Sequence, residues 1–146
     1  MLTQAAQLDH LKAIPLFSYC SRKELRSLGL HSITVRVPAG QLLLRQGDRG
    51  GEFFVVVAGT AEVTRDGAVV DVVGPGDFFG ELAMLDRAPR NATVTATEAM
   101  ELLVFSRSDF EAVLFDAPLM TRRLLTAMAR RLRGLDRRNR GDGALA

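Results

Sequence analysis

A mainly β fold is what this sequence predicts: an antiparallel β-roll, jelly-roll-like (a double-stranded β-helix), with helices at both ends. Three observations carry that expectation. Between residues 33 and 105, apolar positions alternate with period two in around eight short runs, the pattern of half-buried strands. Glycine, proline and aspartate punctuate those runs at hairpin spacing. Before Ile33 and after Phe105 the apolar period lengthens to that of a helix. Short strands at such regular spacing close into a jelly roll or a small barrel.

Along the chain, Leu8 and Leu11 fall on one helical face, and Pro15 separates two short helices. Ser21-Arg22-Lys23-Glu24 has the form of a capping box ahead of Leu25, Leu28 and Leu30, in which each outer side chain takes the other residue's backbone N–H. Ile33, Val35 and Val37 then alternate with Thr34 and Arg36, and Pro38-Ala39-Gly40 supplies a turn. Strands are predicted at 33–37, 41–45, 52–58, 60–65, 68–73, 78–79, 92–97 and 100–105. Asp66-Gly67 predicts a type I′ hairpin, whose two central residues need positive φ. Ser106 or Ser108 can cap a helix holding Phe110, Val113, Leu114 and Phe115, and Pro118 suits the first turn of the next. In that last helix Thr121, Leu125, Met128, Leu132 and Leu135 recur at steps of four and three, a narrow seam among arginines. The expected organisation is one domain over 1–146: N-terminal helices at 1–32, the roll at 33–105, a C-terminal helix pair at 106–140 and an unpatterned tail at 141–146.

The 146 residues, 47% hydrophobic and 25% charged, suit one folded domain of ordinary size. No apolar run approaches the roughly 20 residues of a membrane-spanning helix, and the N-terminus lacks the basic-then-apolar form of a secretory leader. A cytoplasmic location is expected. The net charge of +2 hides an asymmetry, because residues 1–121 carry −4 and residues 122–146 carry +6. The basicity therefore belongs to one helix and is not a nucleic-acid-binding surface spread over the domain. Cys20 is the only cysteine, which excludes an internal disulfide and a cysteine metal cluster. Cys20, His10 and His31 read as packing or surface residues, and two such histidines do not make the metal site of an enzymatic jelly roll. Dinucleotide fingerprint, P-loop and nucleophile elbow are all missing. No catalytic residue, cofactor or metal is expected.

One segment, Phe78 to Val94, refuses the strand pattern. Gly80 has no Cβ and lets the backbone approach a ligand closely. A short helical turn starting near Glu81 would direct free N–H groups outward, where phosphate is well held. Arg90 offers an anion a cationic fork, whereas Glu81 only accepts, which suits a sugar hydroxyl. Together they describe a site for a nucleotide sugar-phosphate. With Phe-Gly-Glu-Leu-Ala at 79–83 and Pro-Arg-Asn-Ala-Thr-Val at 89–94, the chain resembles the cyclic-nucleotide-binding domain family. That module occurs in the catabolite activator protein, the regulatory subunit of cAMP-dependent protein kinase and cyclic-nucleotide-gated channels. The resemblance runs from about Ile14 to Leu132 and takes in Pro38-Ala39-Gly40, Gln46-Gly47-Asp48, Gly59 and Gly76-Asp77.

The resemblance implies that residues 78–94 form a phosphate-binding cassette. In it Glu81 takes the ribose 2′-hydroxyl and Arg90 the cyclic phosphate, while Gly80, Leu82, Ala83, Asn91 and Ala92 contribute backbone groups or close packing. Asn91 departs from the family, whose members commonly carry Thr, Ser or Ala there, and its amide can both donate and accept. The expected ligand is cAMP ahead of cGMP, on the frequency of cAMP among such modules. Val63, Val72 and Val73 are base-wall candidates by strand position alone.

The function implied is that of a non-catalytic regulatory sensor in signal transduction, with a hinge around Phe115 to Pro118 that lets the C-terminal helix move. Two other readings stand beside it. One is the effector-binding part of a transcription regulator without its DNA-binding region, since no helix-turn-helix pattern follows residue 140. The other is a non-binding interaction scaffold with a degenerate pocket. Arginines around the leucine seam suit a solvated face, a homodimer through Leu125, Met128, Leu132 and Leu135, or contact with a partner or downstream effector domain. No direct DNA binding is expected from this chain alone.

Overall fold

Whether a strand reads as alternating or as continuously apolar depends on how many of its faces are covered. The computed structural model describes residues 4–142, with side chains described from Ala5 to Gly134, and it contains both kinds of strand. The helices are α1 (Gln4–Lys12), α2 (Arg22–His31), α3 (Glu81–Asp86), α4 (Arg107–Asp116) and α5 (Pro118–Asp142). The strands are β1 (Ile33–Val37), β2 (Leu42–Leu44), β3 (Glu52–Ala58), β4 (Ala61–Arg65), β5 (Ala68–Val73), β6 (Phe78–Phe79), β7 (Thr93–Ala96) and β8 (Met100–Ser106). They form two four-stranded antiparallel sheets, ordered β1-β8-β3-β6 and β2-β7-β4-β5. The result is the β-roll that the period-two pattern predicts.

The first sheet is covered twice. Phe54, Val56, Phe79 and Leu102 point into the roll against Leu44, Val94 and Ala96 of the second sheet. Phe53, Val55, Phe78, Leu103 and Phe105 point the other way, against Leu25, Leu28, Phe110, Val113, Met120 and Leu124 of the helices. That double burial explains the unbroken run Phe53-Phe54-Val55-Val56 in β3, where all four side chains are buried. At its centre Phe53 is 1% exposed and meets the rings of Phe110, Phe105 and Phe78 at centroid distances of 4.6, 5.7 and 5.9 Å, within the range of favourable aromatic pairs. The second sheet buries one face only, and Val69 and Val72 of its edge strand β5 are exposed.

Local signals fold as their chemistry requires. Asp66 and Gly67 take φ of 53° and 82°, the turn expected between β4 and β5. Ser106 is the cap of α4, accepting from the Asp109 N–H at 3.2 Å. Pro15 does separate α1 from α2, but it opens a 3-10 turn of its own, Pro15–Phe17. Tyr19 follows that turn, exposed on one side, with the Arg123 guanidinium 4.6 Å over its ring.

Several expectations need correction. Leu30 and Phe115 are exposed, at 84% and 87%, not packed. The seam on α5 needs none: Leu125 and Leu132 are 58% and 63% exposed, as a solvated face or a surface for a second copy requires, Met128 is partly covered, and the side chain of Leu135 lies outside the described residues. The buried stripe holds Met120 and Leu124, with Ala127 and Met128 partly covered. The adjacent pairs Leu124-Leu125 and Ala127-Met128 supply two stripes one residue apart, so periodicity alone cannot choose between them. Packing selects the stripe that leads on to Arg131. Helix α5 continues through Asp142, beyond the predicted end at 140, and residues 143–146 of the expected tail lie outside the described residues. No described helix is long and apolar enough to cross a membrane.

Two measurements check this packing. Phe53→Ala should lower unfolding free energy by about 3–5 kcal/mol in urea titration, since the ring joins roll to helices. The Asp109 carboxyl is held below its ordinary 3.8, first by the hydrogen bond from His31 and then by that from Ser106. Its contribution is therefore fully present above that value and lost as pH falls through the lower folded value. Asp109→Asn should flatten this acid limb of the stability profile.

Candidate functional site

The turn into the site is set by Asp77, whose carboxylate accepts from the Gly74 N–H at 2.9 Å. Phe78 and Phe79 then pair with Val55 and Phe54, one ring toward the helices and the other into the roll. Gly80 takes φ of 91°, a left-handed conformation, and a Cβ there would lie 2.8 Å from the Glu52 carbonyl oxygen. That reversal starts α3, whose Ala83 and Met84 face inward while Leu82 and Leu85 are exposed.

Arg90 closes the segment, and its backbone is clamped by the Gln46-Gly47-Asp48 loop. The Arg90 N–H donates to the Asp48 carbonyl at 2.8 Å, and its own carbonyl accepts from the Gly47 N–H at 2.9 Å. The side chain is buried, with Nη1 donating to the Gly80 carbonyl at 3.0 Å and Nη2 to the Glu52 carbonyl at 2.8 Å. The Glu52 carboxylate stands 3.6 Å from Nη2. Gly50 makes room for the guanidinium, since a Cβ there would lie 2.3 Å from its central carbon. Burial pulls the Arg90 pKa below its usual value, and the neighbouring Glu52 opposes that shift.

Glu81 is buried at the first position of α3, 5% exposed. Its Oε1 accepts from Nη1 of Arg131 at 3.1 Å, while Nη2 of the same guanidinium donates to the Phe78 carbonyl at 2.7 Å. The guanidinium also lies 4.0 Å over the Phe78 ring, so α5 reaches the cassette through one cation held in three ways. Burial pushes the Glu81 carboxyl above its ordinary 4.5, opposed first by Arg131 and more weakly by Arg90.

Of the residues the sequence singles out, Gly80, Glu81 and Arg90 come together: Arg90 bonds the Gly80 carbonyl and acts electrostatically on Glu81. Ala83 and Ala92 pack as buried small residues, whereas Leu82 turns outward. Asn91 is exposed, and its carbonyl accepts from Nε of Arg65 at 3.1 Å. Among the base-wall candidates, Val63 pairs across β7 with buried Val94, and Val73 pairs with buried Ala61. Val72 pairs with Glu62 and is 57% exposed, so it belongs to the outer face and leaves the wall.

Sequence reasoning missed two arginines. Arg131 sits among seven other C-terminal arginines, and only its place seven residues beyond Leu124 on the buried stripe sets it apart. Arg107 joins the cassette to α4, donating to the carbonyls of Met84 at 3.2 Å and Gly50 at 2.8 Å; no local pattern marks it. Among the described residues, no group of three or more His, Cys, Asp or Glu could hold a metal ion.

Comparison with known proteins concerns the chain and its fold. The family model for the cyclic nucleotide-binding domain matches residues 34–117, more than half of the chain. The cAMP-dependent protein kinase regulatory subunit of Schizosaccharomyces pombe is 35% identical over 108 residues, which cover 73% of this chain and 26% of the relative. The solved catabolite activator protein of Thermus thermophilus superposes with a TM-score of 0.75 at 32% identity, over 84% of this chain and 60% of that one. A structure described as "Sp-2Cl-cAMPS bound to PKAR CBD2" shares the fold over 99% of this chain and 97% of that one, with a TM-score of 0.77 at 21% identity. The chain thus spans about a quarter of the kinase subunit it matches.

The raised Glu81 value fixes the sign of one pH effect. Protonation favours the folded state, so stability from this group is fully present below 4.5 and lost as pH rises through the higher folded value. The natural chain should lose stability relative to Glu81→Gln as pH climbs from 4.5 toward neutrality, measured by urea unfolding. A difference that stays flat or grows the other way would contradict the assignment.

Proposed function

This chain belongs to the cyclic nucleotide-binding domain family, and from that membership we propose that it is a non-catalytic sensor whose ligand is cAMP ahead of cGMP. The observation that carries the reading is the pairing of one buried acceptor, Glu81 at the start of α3, with one buried cationic fork, Arg90, just beyond its end. The names of similar proteins supply the ligand class, since "cAMP-dependent protein kinase regulatory subunit" and "Cyclic AMP receptor protein" describe several of them.

In this reading a cyclic phosphate takes Nη1 and Nη2 of Arg90 in exchange for the neutral carbonyls of Gly80 and Glu52. The guanidinium–carbonyl bonds already have a charged donor; a phosphate adds a charged acceptor and two oxygens that the planar fork can meet in parallel. The ribose hydroxyl donates to Glu81, whose Oε1 is held by Arg131. Any change in that carboxylate's partners is thus felt on α5. The nucleotide can shift α5 only by its differential affinity for the two arrangements, and the Glu81–Arg131 bond is where that difference arises. What α5 then controls depends on what it meets, whether a second copy along Leu125 and Leu132 or an effector domain.

A non-binding scaffold is the second reading, and one observation favours it: both groups that would hold a nucleotide are already satisfied within the chain. Calorimetric titration with cAMP and with cGMP separates the two. The sensor reading expects binding of at least one nucleotide, lowered on the order of a hundredfold by Arg90→Ala and about tenfold by Glu81→Ala. Asn91→Ala should change the ratio of the two affinities if Asn91 selects the base. Absence of heat and of any thermal shift with either nucleotide would leave the scaffold.

A further inference from the structure

The capping box at Ser21 is only half a box. Ser21 Oγ accepts from the Glu24 N–H at 3.2 Å as expected, but the Glu24 carboxylate does not return to the Ser21 N–H. Its Oε1 accepts from the backbone N–H groups of Leu119 and Met120, at 3.0 and 3.3 Å, ninety-five residues away in the first turn of α5. Oε2 accepts from Ser21 Oγ at 3.4 Å. Glu24 is 5% exposed, and such a buried carboxylate is tolerable only with several donors facing it. The Cys20 thiol beside it has its pKa pushed up to about 12, by burial first and Glu24 second, so it stays protonated.

We propose that Glu24 is a positioning residue for the cassette, a fixed pivot on α2 that sets the direction of α5 and so lands Arg131 on Glu81. The distance from pivot to contact gives the reason. Met120 and Arg131 are eleven residues apart on one helix, about 16 Å, so a tilt of about 10° at the first turn displaces Arg131 by roughly 3 Å. The bonds it makes to Phe78 and Glu81 measure 2.7 and 3.1 Å and do not survive such a shift. Other contacts hold the helix without fixing its angle as firmly. Met120 and Leu124 are buried apolar groups, whose packing is non-directional. Thr121 Oγ1 bonds the carbonyls of Leu114 and Ala117 within the α4–α5 joint itself. Arg123 adds a second link to the N-terminal segment, its Nη2 donating to the Pro15 carbonyl at 3.2 Å from the end of a long side chain. Glu24 is the buried link that takes the backbone N–H groups of α5 itself, and it places the hinge at the first turn of that helix.

The geometric part of this inference is independent of ligand; its effect on nucleotide binding rests on the sensor reading above. The test is therefore a double-mutant cycle without nucleotide. Urea unfolding of the natural chain, Glu81→Gln, Arg131→Met and the double variant should give non-additivity of about fivefold in the unfolding constant. The cycle is then repeated with Glu24→Leu, with Glu24→Gln and with Val113→Ala. Coupling should vanish with Glu24→Leu and return with Glu24→Gln, whose amide oxygen can accept from the same N–H groups. Val113→Ala loosens the core without touching the pivot and should leave the coupling intact. If Glu24→Leu does not fold, Glu24→Asp, one methylene short, should lower the coupling instead. Coupling that survives loss of the carboxylate, that is absent from the natural chain, or that Val113→Ala abolishes equally would overturn the proposal. A cAMP titration of the same set keeps the two readings apart. If cAMP binds, the effect of Arg131→Met on its Kd should disappear with Glu24→Leu. If cAMP does not bind, the nucleotide reading falls and the unfolding cycle alone decides the role of Glu24.

Discussion

Two opposite charges taken out of water at one corner of a β-roll constrain everything around them. Arg90 and Glu81 are each 5% exposed, and a buried ion without partners costs several kcal/mol. The chain meets that requirement with backbone. Gly50 and Gly80 lack the Cβ atoms that would occupy the guanidinium's seat, and the carbonyls of Gly80 and Glu52 accept its protons. For Glu81 the partner comes from a distant helix, because the first turn of α3 offers no cation of its own. The same burial that makes the pair expensive makes it sensitive, since any new donor or anion competes with a contact already made.

The doubly covered sheet is what turns that corner into part of a larger machine. Phe78 belongs to β6, yet one side of its ring lies under Arg131 and its edge packs toward Phe53, which in turn touches Phe105 and Phe110. Cassette, sheet, α4 and α5 therefore share one contiguous apolar cluster. Arg107 adds a polar route, joining the last turn of α3 and the Gly50 carbonyl to the first residue of α4. These are physical contacts through which two arrangements of the helices could differ in energy.

Local chemistry was legible in the sequence, and non-local choice was not. Strand positions, the Asp66-Gly67 hairpin, the Ser106 cap and the break at Gly80 each depend on residues within a few places of one another, and each folds as read. Glu81 and Arg90 were singled out because their segment breaks period two and their side chains suit a sugar hydroxyl and an anion, and the other candidate residues came from the resemblance of Phe-Gly-Glu-Leu-Ala and Pro-Arg-Asn-Ala to the family's motif. What escaped were decisions made by tertiary packing. The stripe by which α5 packs on the core, the exposure of Leu30 and Phe115, and the outer-face position of Val72 all turn on which of two adjacent stripes or faces meets a neighbour. Arg131 could not be told from the other arginines of its helix, nor could Glu24 show that one oxygen of its carboxylate serves a helix ninety-five residues on while the other stays with the Ser21 hydroxyl.

The stacking of Arg123 on Tyr19 has an optical consequence. The chain has no tryptophan and one tyrosine, so light of too long a wavelength for its eight phenylalanines excites a single ring, beside the start of α5. A cation 4.6 Å above that ring alters its surroundings for as long as the helix keeps its place. A displacement of the last helix that took Arg123 off the ring would change the surroundings of the chain's one tyrosine, with no label added.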